Sequence, residues 1–164
     1  MGPMSQPVAA ADAAFEPQFT EYLRVLFEEQ IVFNRLLNLK MLAAGPDWFR
    51  AGMEMRPDLV GNFLHNRLHG GAISAVLDVI AGMACIAALG ARHKSEPIDQ
   101  RMKHFDKLGT IDLRVEYLRP AVSERFEAQA RVIRLGSRVA NTQMEFFSAH
   151  GQLLATGAGA YIIS

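Results

Sequence analysis

The chain has 164 residues, half of them hydrophobic, which is enough for one sizeable core and fits a single domain. Lys plus Arg and Asp plus Glu balance at 17 each, so the basic excess of a nucleic-acid binder is missing and no nucleic-acid partner is expected. The one cysteine, Cys85, excludes a disulfide within the chain and suits a cytoplasmic protein.

Residues 1–17 are small, Pro-containing and weakly acidic, with no basic stretch leading into an apolar one. They are expected to form a disordered arm rather than a signal peptide, leaving 18–164 as the domain. Over 19–33, Leu23, Leu26 and Phe27 recur at helical spacing among Glu21, Arg24, Glu28 and Glu29, which predicts an amphipathic helix. Segments 36–43 and 48–55 flank the turn signal Gly45-Pro46-Asp47 and read as a hairpin. Residues 57–68 read as a loop, 70–89 as a long apolar helix, and 93–108 as a charged short helix or loop.

Between Leu68 and Ala91 the only formal charge is Asp78, so the stretch is long enough to span a bilayer. It is built mostly of Ala and Gly, and a carboxylate at its centre would cost roughly 2.5–3.5 kcal/mol to insert. A buried helix of a soluble protein is expected instead, with no membrane partner.

The last third alternates clearly. In 110–118, Ile111, Leu113, Val115 and Tyr117 alternate with Thr110, Asp112, Arg114 and Glu116, a half-buried strand that Pro120 ends. Phe126, Ala128, Ala130 and Val132 mark a second strand, followed by 139–147 and 153–163, with turns at Gly136-Ser137 and His150-Gly151. Long strands joined by short turns predict an antiparallel meander. The expected class is α+β, a sheet wrapped around one central helix, the natural cover for an almost uncharged helix.

On that helix Gly71, Ser74, Ala75, Asp78, Ala81, Gly82 and Cys85 share one stripe of small residues, while Ile73, Leu77, Ile80 and Ala84 form a bulkier face suited to the sheet. A carboxylate buried without a charged partner needs hydrogen bonds, and such groups concentrate at functional sites. His69-Gly70-Gly71 stands just before the helix, where the first amides lack internal partners and the dipole adds positive potential. That is a plausible oxyanion hole for a thioester carbonyl.

His69-Gly70-Gly71 followed, after six intervening residues, by Asp78 resembles the HGG-x6-D signature of hotdog-fold thioesterases, specifically the phenylacetic-acid-pathway (PaaI-like) branch. The strand ending in Leu118-Arg119-Pro120-Ala121, the turn Arg134-Leu135-Gly136-Ser137-Arg138 and the final Ala155-Thr156-Gly157 are similar in order, so the resemblance covers residues 35–164. It implies a hotdog fold with an extra N-terminal helix, and hydrolysis of an acyl-CoA or related thioester. It implies Asp78 as general base or nucleophile, the Gly70 or Gly71 amide as oxyanion donor, and His69 near the thioester sulfur. It also implies Thr110 holding the water, an Asn upstream of the motif (Asn66 preferred to Asn62), and Arg138 near CoA phosphates. No cofactor is implied; the CoA thioester enters as substrate.

Gly70 and Asp78 lie about 12 Å apart along one helix, too far for one carboxylate to activate water beside a carbonyl held at Gly70. Two such helices, antiparallel across a two-fold axis, close that gap. A homodimer with two composite sites is therefore expected, and tetramers are common in the resembled family. His65, His93, His104 and His150 show no metal-ligand spacing in the sequence, and no metal is expected. A non-catalytic acyl-CoA sensor on the same fold is the alternative reading; an enoyl-CoA hydratase is disfavoured because no His follows Asp78 within ten residues.

Overall fold

The computed structural model describes residues 15–164. The expected arm therefore lies outside the described residues as far as residue 14. Phe15 is already buried, edge-on to Phe19 with ring centroids 5.0 Å apart.

Helix α1 (Pro17–Val25) starts with Pro at its first position, where the missing amide hydrogen does no harm. It passes into a π-helical turn, Leu26–Gln30, and stops at Ile31, whose ψ of 94° is extended. Helix α2 (Val32–Leu36) resumes beyond it. The expected single helix is thus two pieces. Buried Asn34 turns back to donate to the Phe27 carbonyl at 2.8 Å, stabilising the break.

Strands β1 (Lys40–Gly45) and β2 (Trp48–Glu54) form the expected hairpin, with the first arm starting four residues later than expected. The 57–68 segment is less irregular than expected: β3 (Val60–Asn62) and β4 (Arg67–Leu68) pair across a tight turn. Then come helix α3 (Gly70–Arg92), the short α4 (Ile98–Lys103), and strands β5 (Gly109–Tyr117), β6 (Arg125–Leu135), β7 (Val139–Ser148) and β8 (Leu153–Ile162).

The main sheet runs β1-β2-β6-β7-β8-β5, antiparallel throughout. The expected meander holds for β6, β7 and β8 only. β5 pairs with β8 at one edge, and β2 occupies the place beside β6. Seven residues of coil around Pro120 separate β5 from β6, so a tight hairpin is not imposed and β5 crosses to the far edge.

Inward side chains of β6 and β7 alternate as the pattern predicts, with Phe126, Ala128, Ala130, Val132, Ala140, Met144 and Phe146 buried. α3 packs on this surface, with contacts to β2, β6 and β7. Its bulky face, Ile73, Leu77, Ile80 and Ala84, is buried as expected, and burying each large aliphatic there contributes about 1.5–3 kcal/mol. α3 is apolar enough to cross a membrane, but 67% of its apolar window is buried in the protein, which makes it the core helix of the wrapped sheet. Antiparallel strands curled around one long helix, with a helical N-terminal extension, constitute the hotdog fold.

Residues 83–90 of α3 are wholly buried, and Gly90 is obligatory there: a Cβ would sit 2.2 Å from Phe19 Cζ of α1. The N-terminal half differs. Ser74, Ala75, Asp78 and Gly82 on the small-residue stripe are only half-buried. The helix is therefore covered on all sides in one half and open along one stripe in the other. Asp78 sits on the open part.

Candidate active site

Asp78 is held by two donors from the sheet. Thr110 Oγ1 donates to Asp78 Oδ1 at 2.8 Å, and Tyr161 Oη donates to the same oxygen at 2.9 Å and lies 3.2 Å from the Asp78 carbonyl. Both side-chain bonds fall on Oδ1, and Oδ2 has no hydrogen-bond partner among the described residues. Hydrogen bonds to a charged acceptor contribute about 1.5–3 kcal/mol each, so the pair fixes the carboxylate rotamer.

Thr110 reaches Asp78 because of a defect in β5. Thr110 pairs with Tyr161 and Asp112 with Ala160, so Ile111 is an extra residue, a β-bulge. Strict alternation would place Thr110 on the face opposite Leu113 and Val115. The bulge turns it back to the helix side and throws Ile111 out, 56% exposed. Tyr117, expected to face inward, is also exposed; β5 lies at the sheet edge, and the Tyr117 ring sits over the first residue of α3 rather than in the core.

Tyr161 was not among the expected site residues. It stands in the Ala- and Gly-rich β8 as the one aromatic side chain of the strand, and it is buried. Burial first, and the Asp78 charge second, raise its phenol above the ordinary range, so it remains a hydrogen donor to the carboxylate. An isolated aromatic with a hydroxyl in an otherwise small-residue strand is the signal that marks it.

At the helix start, His69 is the N-cap, and its Nδ1 accepts the Gly71 amide at 2.8 Å. That engages one of the two candidate oxyanion donors. It also leaves Nε2 as the proton-bearing nitrogen of a neutral His69. The Gly70 amide has no partner among the described residues. Tyr117 crosses above it, donating to the Gly70 carbonyl at 3.0 Å, and a Cβ on Gly70 would lie 3.2 Å from the Tyr117 ring.

Asn66 occupies the turn between β3 and β4 with φ 48°, a left-handed conformation that Asn tolerates, and is exposed. Asn62 caps the same turn, accepting from the Leu64 amide at 3.1 Å. Both asparagines thus have local roles, and neither hydrogen-bonds Asp78 or His69. Arg138 is exposed at the β6–β7 turn. The register Val139 to Ile162 to Gly109 puts its neighbour two strand spacings, about 10 Å, from the start of β5. Arg138 therefore lies at the same end of the sheet as Thr110 without touching Asp78. Cys85 is buried, and burial pushes its thiol up to about 12, which makes it packing rather than a nucleophile.

The structure gathers Asp78, Thr110 and Tyr161 into one cluster, and His69 and Gly70 into another, about 12 Å away along α3.

The family model of the thioesterase superfamily matches residues 65–155, which include His69, Gly70, Asp78 and Thr110. The medium/long-chain acyl-CoA thioesterase YigI of Escherichia coli K12 is 33% identical over 138 residues, covering 84% of this chain and 89% of that relative. A solved structure from Shewanella oneidensis, related to the thioesterase superfamily, superposes with TM-score 0.84 at 33% identity, covering 90% of this chain and 96% of that one. A second, from Syntrophus aciditrophicus, superposes with TM-score 0.76 at 30% identity, covering 88% and 95%.

Proposed function

Because this chain belongs to the hotdog-fold thioesterase superfamily, we propose that it hydrolyses acyl-CoA thioesters to the free acid and CoA, with Asp78 as the essential carboxylate. The observation that carries the reading is the free Oδ2 of Asp78 on the open stripe of α3, its other oxygen held by Thr110 and Tyr161.

The two half-sites are joined by a partner. When two copies set their α3 helices antiparallel about a two-fold axis, Asp78 of one chain meets Gly70 of the other. The open stripe of small residues permits close approach of the helices. The β5 edge bears exposed Ile111, Tyr117 and Leu118, apolar surface of the kind that marks an interface. The working unit is a homodimer with two composite sites; a homotetramer is compatible with it.

In the proposed reaction, the thioester carbonyl oxygen accepts from the Gly70 amide at the positive end of α3. Water attacks the carbonyl carbon while Asp78 Oδ2 takes its proton, and Thr110 Oγ1 accepts the second water hydrogen. The tetrahedral oxyanion is stabilised by the amide. It collapses with cleavage of the C–S bond; His69 Nε2–H donates a hydrogen bond to the leaving thiolate, and the proton that Asp78 took from water passes to the sulfur, which restores the carboxylate. Direct attack by Asp78, giving a mixed anhydride that water then cleaves, is the second route on the same geometry. Arg138 is the proposed contact for CoA phosphates, and Asn66 a further contact near the helix start. The PaaI-like assignment within the superfamily, and a cytoplasmic location, belong to this same reading.

For the acyl group we propose a medium or long aliphatic chain. The name of the Escherichia coli relative suggests it, and Val32, Phe33, Leu36, Leu42, Phe63 and Leu64 are large apolar side chains left outside the core. The test is free-thiol release from acyl-CoAs of graded chain length by wild type and Asp78→Asn. Turnover that rises with chain length and collapses in the variant supports the proposal. Saturable acyl-CoA binding without thiol release by wild type would replace it with the non-catalytic sensor.

A further inference from the structure

His93 and His104 lie eleven positions apart in sequence, and folding brings them together. His93 ends α3, its amide donating to the Leu89 carbonyl at 3.0 Å, and His104 ends α4. The connection doubles back so that the two imidazoles stack, centroids 3.7 Å apart and planes within 12°. Glu96 lies at their shared edge. His93 Nδ1 is 3.1 Å from Glu96 Oε1, and His104 Nε2 is 2.8 Å from Glu96 Oε2.

The backbone bearing these side chains is held by other groups. Arg101 is buried and donates to the Glu96 carbonyl at 2.9 Å and to the Lys94 carbonyl. Its guanidinium pairs with Glu16 at 2.7 Å and lies over the Phe19 ring, so its charge is neutralised and the loop is anchored to α1. The three side chains converge on a loop that is already organised, which lowers the ordering cost of any ligand that joins them.

We propose that His93, Glu96 and His104 form a binding site for one divalent late transition-metal ion, with Zn²⁺ as the working representative. The three ligand atoms lie within 4.8 Å of one another. Zn–N and Zn–O bonds of about 2.0–2.2 Å in tetrahedral array separate neighbouring ligand atoms by about 3.4 Å. The observed N···O separations of 3.1 and 2.8 Å need to open by about half an ångström, and the two stacked rings must splay so that both nitrogen lone pairs meet at one point. The ion needs an unprotonated nitrogen from each ring, so the neutral tautomers with hydrogen on His93 Nε2 and His104 Nδ1 are the ones that take it. Two imidazoles and one carboxylate favour zinc, nickel or copper over magnesium and calcium, which prefer oxygen donors. All three residues are half-buried, so the remaining coordination position is left to water. The site is remote from the hydrolytic cluster in every named contact, and the ion would fasten the end of α3 to α4. The proposal stands independently of the thioesterase reading.

The test is Zn²⁺ titration of the EDTA-stripped full chain against a chromophoric chelator, paired with thermal melts. The expected result is one ion per chain, weakened at least about tenfold in His104→Ala and in Glu96→Gln. His65→Ala and His150→Ala, which remove exposed histidines elsewhere, keep wild-type affinity. Zn²⁺ raises the melting temperature of wild type, Mg²⁺ does not, and the shift disappears in the site variants. If His104→Ala does not fold, His93→Gln and Glu96→Gln decide the matter. Absence of saturable binding at micromolar protein, or binding retained within about twofold when the site residues are changed, overturns the proposal.

Discussion

Gly70→Pro isolates the Gly70 amide with little damage to the fold. Gly70 is the first residue of α3, where proline's missing hydrogen is harmless to the helix. His69, just before it, has φ −64° and ψ 133°, the extended conformation that a residue preceding proline adopts. The added Cβ meets the Tyr117 ring at 3.2 Å, and that ring is 54% exposed and able to give way. The variant should fold, with a melting temperature within a few degrees of wild type. Loss of one oxyanion donor typically lowers kcat about 10²–10³-fold, about 2.7–4 kcal/mol. The sharper measurement is complementation by co-expression with Asp78→Asn, each chain carrying a different tag. In a mixed dimer, one site combines both lesions and the other combines intact Asp78 with an intact Gly70 amide. Random pairing makes half the dimers mixed, each with one working site of two, so the mixture should recover about a quarter of wild-type kcat. Either parent alone should show about 1% or less. Mixed dimers isolated by double-tag purification with no more activity than the parents would refute the shared site. Gly70→Pro retaining more than about a third of kcat would refute the oxyanion role.

Other consequences follow from the same contacts. Asp78→Asn retains Oδ1 as acceptor for Thr110 and Tyr161, so it should melt near wild type, whereas Asp78→Ala strands both hydroxyls and should lose about 1–3 kcal/mol in urea titrations. Equal stability of the two variants would mean that the clamp is energetically idle. Tyr161→Phe removes one of two donors without leaving a cavity and should lower kcat about fivefold, about 1 kcal/mol, with KM nearly unchanged; an unaltered kcat argues that Thr110 alone suffices. Native Cys85 should resist Ellman's reagent near pH 8, where a thiol pushed up to about 12 is thiolate in only about one molecule in 10⁴, and should react once guanidinium unfolds the chain. Fast labelling of native protein contradicts its burial. Cys85 and Tyr161 are both raised above their ordinary values of 9.0 and 10.0, so the native state keeps protons that the unfolded chain releases. Stability present in full below about pH 9 should decline as pH rises, by up to about 1.4 kcal/mol per unit for each group. Urea midpoints that stay flat through about pH 10.5 would count against this. Gly90→Ala gains helix propensity of about 1 kcal/mol but drives a methyl into Phe19, and a net loss of about 1–3 kcal/mol is expected in the same titration.

The parts of this molecule that repeat a simple period were legible in its sequence. Alternation located β5 and β6, the turns at Gly136-Ser137 and His150-Gly151 marked off β7 and β8, and the apolar run located α3, because burial and tight turns leave those patterns directly in the sequence. The residues of the thioesterase motif pointed to the family and to Asp78. What stayed hidden depends on partners distant in sequence. The placement of β5 beside β8 rather than β6 is decided by β2, which competes for the same edge. The break at Ile31 rests on one buried amide, Asn34. Tyr161 reads as one more strand aromatic until its hydroxyl is seen on Asp78, 83 positions away. Occupation of the Gly71 amide by His69 belongs to a rotamer, which no spacing rule encodes. His93 and His104 had no recognisable ligand spacing because the turn that stacks them is set by Arg101, a cation buried among the apolar residues of α1.

The bulge at Ile111 makes part of the site a matter of counting. Ile111 points away from the core, so many substitutions there should be tolerated. Deleting it removes only the extra residue: Thr110 then stands next to Asp112 in strict alternation, opposite Tyr161 and on the face of Leu113 as before. At this position the strand accepts one residue fewer as readily as a different side chain. In a library of single-residue deletions through β5, loss of Ile111 should therefore leave Thr110 on Asp78 and activity close to wild type.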